Sequence, residues 1–345
     1  MTADTSWQWP MVELGTDTAN LILLGIILSS SIFADVVASR TRLPRISLLV
    51  LVGVGVAVVQ QWGLGESGGR PLDGLGEPLI RVALVMVAFL LGGELTLERL
   101  RSTGSLIVIV SLAVIATGVL LVGAGLLLLG FPLVVAVSLA AISVATDPAA
   151  VRETVRESGD TRFRARLLMG IVAIDDAWGI LVFGLAMALL GWLLSADGGL
   201  ALVQSGWELG GALVANLSTH HTRSFNEIEH IEWPFLVFFF VLSGASVDLR
   251  HLDEALWLTL AYIVLRLAGR YLGGLLGVRL ARQRQSVLPR DIGLALTPQA
   301  GVAMGMALLV AERYPAHGAV LLSAVVASTL VFEMVGPLLV RRVLR

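Results

Sequence analysis

The sequence predicts an all-α polytopic membrane protein of about eleven transmembrane helices, with inverted repeats and two broken helices crossing at the midplane. Three observations point there. Of 345 residues, 56% are hydrophobic and only 14% charged, where a soluble domain carries about 25% charged residues. Eleven apolar stretches reach or approach the roughly 20 residues that a span requires. Arginine is concentrated in alternate loops. The chain has no Cys, which excludes a disulfide framework, thiol catalysis and thiolate metal sites. All 24 basic residues are Arg. The formal net charge of −2 matters less than where the charges lie.

In order, the first 18 residues carry Asp4, Glu13 and Asp17 and no basic residue. That is not the positive start of a signal peptide, so they read as a polar lead-in. The candidate spans are 19–39, 44–61, 78–98, 104–129, 131–156, 164–194, 199–217, 234–249, 254–281, 291–312 and 316–340. The fifth and tenth are broken, the seventh is weak, and the eighth is short but strongly apolar. Counting Arg over loops and termini places 18 on one side and 4 on the other, with Arg266 and Arg270 inside the ninth span. By the positive-inside rule the N-terminus is outside and the C-terminus cytoplasmic.

Spans 4–6 (104–194) form one triplet and spans 9–11 (254–345) a second of opposite topology. The remainder, 19–103 and 195–253, reads as scaffold. The middle member of the first triplet is interrupted at Thr146-Asp147-Pro148, and that of the second at Thr297-Pro298-Gln299. Paired interruptions in inverted halves are the best sequence pointer to a transport site.

Carboxylates at membrane depth cost several kcal/mol unless solvated, paired or bound to an ion. Asp147 lies at the first break, and Asp175 and Asp176 lie about twelve residues into span 6, roughly 18 Å along it. Adjacent helical residues are about 100° apart, so the pair addresses two different neighbours. Arg266 and Arg270 are one turn apart, share a face, and at that depth need acidic partners. With Asp147, Asp175 and Asp176 the cluster sums to −1 if all are ionised, enough to take up one monovalent cation. Freed carbonyls at the breaks and the hydroxyls of Thr146 and Thr297 are candidate ligands. Thr146 and Thr297 can equally cap local backbone, and Gln299 can satisfy a freed backbone group. The acids and arginines can also be read as a stabilising polar network without transport. Glu333, Glu94, Glu208 and Asp35 read as interfacial or structural. His220, His221 and His230 fall in a loop that reads as solvated, with a pH sensor as the sharper alternative.

The motifs ATDPAAV at 145–151, Asp175-Asp176, NEIEHIEWPFLVFFFVLSGASVDL at 226–249 and LTPQAGVAMGMAL at 296–308 together resemble the monovalent cation:proton antiporter superfamily. The resemblance runs from about 44 to 340. It implies a sodium/proton antiporter-like fold and exchange of a monovalent cation, Na+ before K+ or Li+, for protons. The adjacent acidic pair implies electrogenic exchange. Residue by residue, it makes Asp176 the principal cation and proton ligand, with Asp147 beside it, and makes Asp175 the partner of a basic residue on span 9. Relatives often carry Lys there; here the residues are Arg266 and Arg270, which do not release their protons. Proton coupling is then left to Asp. The resemblance also implies about two more scaffold spans between Asp176 and the 226–249 motif than are found. A shortened relative that binds a cation but transports poorly is therefore the alternative, with a homodimer possible but weakened. The partners implied are the lipid bilayer, the cation and protons; no cofactor and no nucleic acid are expected, and the membrane is that of a bacterial cell. A channel remains a remote reading. An intramembrane aspartyl protease needs two Asp on facing helices, usually one within a Gly-x-Gly-Asp motif; here the pair is adjacent on one helix and the motif is absent, so no enzyme is expected.

Overall fold

A proline stands in each break. Proline is well placed at a helix start, and the residue before it is ordinarily pushed out of the α region, although Thr297 keeps α angles (φ −74°, ψ −36°). In the computed structural model, α4 (Leu133–Ile142) accordingly ends ahead of Thr146-Asp147, and α5 (Pro148–Ser158) opens on Pro148. In the second triplet a short 3-10 helix (Ile292–Leu296) ends before Thr297-Pro298, and α8 (Gly301–Arg313) follows. The structure describes residues 16–40, 45–63, 105–160, 163–194, 252–281, 289–299 and 301–345, with a few positions between 234 and 245.

The other helices are α1 (Thr16–Arg40), α2 (Arg45–Gly63), α3 (Ser105–Leu128), α6 (Phe163–Leu194), α7 (Leu252–Leu280) and α9 (Pro315–Leu344). Among the described residues there is no strand. By length and composition three of them, Ser105–Leu128, Glu254–Leu280 and Pro315–Leu344, can each cross a membrane unbroken. Outward-facing Leu185, Trp192, Val264 and Leu338 are all more than 60% exposed, as a lipid-facing surface requires. The expected spans 78–98 and 199–217, the histidine loop, Glu94 and Glu208 lie outside the described residues, as does the 195–233 stretch that carries the apparent shortening.

The two repeats meet along a glycine seam. A Cβ at Gly273 of α7 would lie 2.6 Å from the Val114 Cα of α3. At Gly277 it would lie 2.9 Å from the Val110 Cα, and at Gly269 2.9 Å from the Gly118 Cα. Small residues every four positions let two membrane helices pack backbone to backbone. This close approach sets the depth of α7, and hence of Arg266 and Arg270, against the first repeat.

Two apolar clusters form the core. One gathers Leu139, Ile142, Tyr262, Met304, Leu322 and Phe332; the other gathers Val110, Val114, Leu168, Ile171, Leu296 and Val343. The unwound residues of both breaks lie where the clusters meet. The breaks touch directly, because the Asp147 N–H donates to the Pro298 carbonyl at 2.8 Å. Gly336 of α9 packs flat on Pro298, where a Cβ would come within 2.7 Å of the proline ring.

Candidate functional site

Arg270 projects from α7 toward α6 and the first break. Its Nη1 donates to Asp175 Oδ2 at 2.8 Å, and the pair is almost fully buried. Its Nη2 reaches the carbonyls of Ser143 (2.9 Å) and Val144 (2.6 Å) and the Thr146 hydroxyl oxygen (3.1 Å). Thr146 in turn donates to Asp175 Oδ2 at 2.6 Å, and Ser111 of α3 donates to Oδ1 at 3.3 Å. Asp175 thus accepts from three elements besides its own helix: α3, α7 and the first break.

Arg266, one turn earlier, lies across both breaks. It donates from Nε to Ser143 O (3.1 Å), from Nη2 to Ala145 O (2.7 Å) and from Nη1 to Thr297 O (2.7 Å). Its guanidinium lies 4.4 Å from the centre of the Phe332 ring, a cation–π contact. Phe332 meets Tyr262 edge to face at 6.1 Å. Tyr262 and Gln299 bond to each other through Oη, with Nε2···Oη 3.3 Å.

Two readings from the sequence are corrected here. The freed carbonyls of Ser143, Val144, Ala145 and Thr297 do not stand open for a cation: the two arginines occupy them, and Pro298 O accepts from Asp147. A guanidinium carries five donors in a plane, so two of them satisfy the unwound backbone. Arg266 needs no acid for this; among the described residues its ion-pair distance holds no carboxylate. Backbone dipoles and an aromatic face balance its charge instead.

The remaining expected residues fall as follows. The Thr297 hydroxyl donates to Leu294 O at 2.7 Å, closing the 3-10 turn. Gln299 turns to Tyr262 rather than to backbone. Asp147 is partly exposed at the crossing. Asp176 follows Asp175 on α6, and its side chain lies outside the described residues. Among the described residues no group of three acidic, His or Cys side chains could hold a metal ion.

Sequence reasoning missed Ser111, Ser143, Tyr262 and Phe332. Ser111 had one signal, a hydroxyl in an apolar run with no charged residue; the structure buries it fully. Glu333, expected to be interfacial or structural, is only 2% exposed and within electrostatic range of Asp147.

A family model described as sodium/hydrogen exchanger, transmembrane, matches residues 25–228, more than half of the chain. The chain belongs to this family. It is therefore an integral membrane protein of a transporter family. The sodium proton antiporter MjNhaP1 of Methanocaldococcus jannaschii is similar in fold, with TM-score 0.63 and 16% identity. The match covers 96% of this chain and 100% of that one. The K(+)/H(+) antiporter subunit KhtU of Bacillus subtilis (strain 168) is 36% identical over 75 residues, 21% of this chain. That match spans 18% of the curated relative's length.

Proposed function

We propose that this family member is a secondary active transporter exchanging a monovalent cation for protons across a bacterial plasma membrane, with Asp176 as the carrying carboxylate. The observation that supports this reading is the saturation of Asp175. Three donors, one of them a buried guanidinium, hold it, so it serves as an anchor rather than a carrier. On an ideal helix the next position, Asp176, lies about 100° further round. A carboxylate at this depth stays charged only with a cation beside it and otherwise takes a proton. Protons and cations then compete for the same oxygens, which suffices for exchange. Asp147 and Thr146 at the first break are the companion candidates.

Na+ is the first candidate. K+ is supported by the similarity to a protein named as a K(+)/H(+) antiporter subunit, and Li+ follows from Na+ chemistry. With Asp175 neutralised by Arg270, Asp176 alone exchanges one cation for one proton, and an electrogenic cycle, which the adjacent acidic pair implies, requires a second proton on another group. The test is a proteoliposome assay. A pH gradient is imposed, Na+, K+ or Li+ is added in turn, and an internal pH dye is read with and without a voltage clamp. Cation-dependent proton movement that responds to voltage is expected. Proton movement indifferent to every cation overturns the reading.

A further inference from the structure

We infer that Tyr262 is a positioning residue for the candidate cation site, fixing Asp147 by way of the second break; the inference deepens the exchange reading and rests on it. Tyr262 and Arg266 lie one turn apart on one face of α7, and the second break runs past both. Arg266 Nη1 donates to the Thr297 carbonyl at 2.7 Å. Gln299 Nε2 donates to Tyr262 Oη at 3.3 Å, and the Tyr262 hydroxyl reaches Gln299 Oε1 at 3.4 Å. Thr297 and Gln299 bracket Pro298, so α7 grips the proline on both sides.

The other wall is α9, where Phe332 and Gly336 are also one turn apart. Phe332 meets the Tyr262 ring edge to face and lies under the Arg266 guanidinium. A Cβ at Gly336 would lie 2.7 Å from the Pro298 ring. Pro298 is thereby enclosed by two helices, and its carbonyl accepts the Asp147 N–H at 2.8 Å. The place of Asp147 follows from that of Pro298.

The Tyr262 hydroxyl is not needed to fill space, because phenylalanine fills the same volume. Tyr262 and Gln299 are both fully buried, and a buried hydroxyl or amide must find a partner. Among the described residues their side chains hydrogen-bond only to each other. Such a pair adds little net stability, since replacing both members by apolar groups of like shape is nearly neutral. What it adds is geometry. Without the hydroxyl, Arg266 alone would hold the break, at Thr297, and the segment beyond the proline would lose this tie to α7. A ligand group held in place before the cation arrives need not be ordered on binding, so loosening Asp147 weakens affinity first.

The test is deuterium uptake by mass spectrometry on the full chain in lipid, read beside vesicle transport. It compares wild type, Tyr262→Phe and the double variant Tyr262→Phe with Gln299→Met. Tyr262→Phe should quicken uptake in peptides spanning Asp147 and leave those spanning Val114 and Gly273 in the α3–α7 seam unchanged. In vesicles its half-saturating concentration of Na+, or of K+ where that is the ion moved, should rise roughly three- to tenfold, the scale of one neutral hydrogen bond. Maximal turnover should change less. The double variant should regain the wild-type unfolding midpoint yet keep the weakened affinity, which a purely structural pair would not do. Should Tyr262→Phe fail to fold, the double variant, with no orphaned amide, reads the same tie. Unchanged uptake at Asp147, quickened uptake along the whole chain, wild-type affinity in Tyr262→Phe, or affinity restored in the double variant each overturns the inference. Quickened uptake confined to the breaks, in a chain whose wild type transports no cation, upholds the positioning and overturns the exchange reading alone.

Discussion

Asp147 and Pro298 join the two repeats through backbone alone: the Asp147 N–H donates to the Pro298 carbonyl at 2.8 Å. Proline has no N–H of its own, so this contact runs one way, and the remaining broken backbone must be satisfied from elsewhere. Arg266 and Arg270 do this from α7. The site is thus a crossing of two unwound strands held by two cations, and its stability depends on those cations keeping their geometry.

Removing Asp175 leaves Arg270 buried without its carboxylate. Breaking one partner of a buried pair typically costs about 3–5 kcal/mol. Asp175→Ala should therefore lower the thermal unfolding midpoint strongly in detergent. A second change, Arg270→Met, should recover part of the loss, and Arg266→Met should not. Equal recovery from both would mean that the 2.8 Å pair is not the dominant coupling.

Arg266→Lys tests the fork. Lysine keeps the charge but offers one nitrogen, which cannot reach Ser143, Ala145 and Thr297 together. Losing two charge-assisted hydrogen bonds, at about 1.5–3 kcal/mol each, should destabilise the chain nearly as much as Arg266→Met. A midpoint within a degree or two of wild type would show that charge alone matters at this position.

The breaks were legible in the sequence because proline acts locally, and Thr146-Asp147-Pro148 and Thr297-Pro298 interrupt otherwise apolar runs. The depth of Asp175 was legible from helix rise alone. Its partner was not: choosing Arg270 over Arg266 depends on how far α7 slides along α3, which the seam of Gly269, Gly273 and Gly277 sets. The fate of the freed carbonyls was hidden for the same reason, since it requires knowing that both guanidiniums sit level with Ser143–Ala145. Phe332 and Tyr262 carried no signal, because aromatics in membrane helices commonly face lipid or core. Ser111 is one of three hydroxyl residues in an otherwise apolar helix, with Ser105 and Thr117, and only the fold shows that it meets Asp175.

Gly273→Leu should open the seam. Its Cβ would already lie 2.6 Å from the Val114 Cα, and overpacking of this kind costs about 1–3 kcal/mol or more. Gly55→Ala on α2, where a Cβ meets nothing within 4 Å, should be neutral or stabilising by up to about 1 kcal/mol. Thermal unfolding of the two variants side by side checks the sign of each. A harmless Gly273→Leu would mean that α3 and α7 can separate without loss.

Thr146→Val removes a hydroxyl that donates to Asp175 at 2.6 Å and accepts from Arg270 at 3.1 Å. Valine keeps the branched shape, so the loss is confined to those two bonds. A stability loss of about 1–3 kcal/mol is expected from the unsatisfied partners. In vesicles the half-saturating cation concentration should rise more than maximal turnover falls. An unchanged concentration, with stability still reduced, would make Thr146 an anchor for Asp175 alone.

Asp176→Asn separates carrying from anchoring. Asparagine preserves size and hydrogen-bonding capacity but can neither take up a proton nor neutralise a cation. Asp175, Arg270, Thr146 and Ser111 bond to one another without Asp176, so the fold should persist. The expected outcome is an unfolding midpoint close to wild type, no cation-driven proton movement in vesicles, and loss of the stabilisation that added cation confers on the wild type. That stabilisation arises because a ligand that binds only the folded state shifts unfolding upward. Wild-type exchange rates in Asp176→Asn vesicles would transfer the carrying role to Asp147.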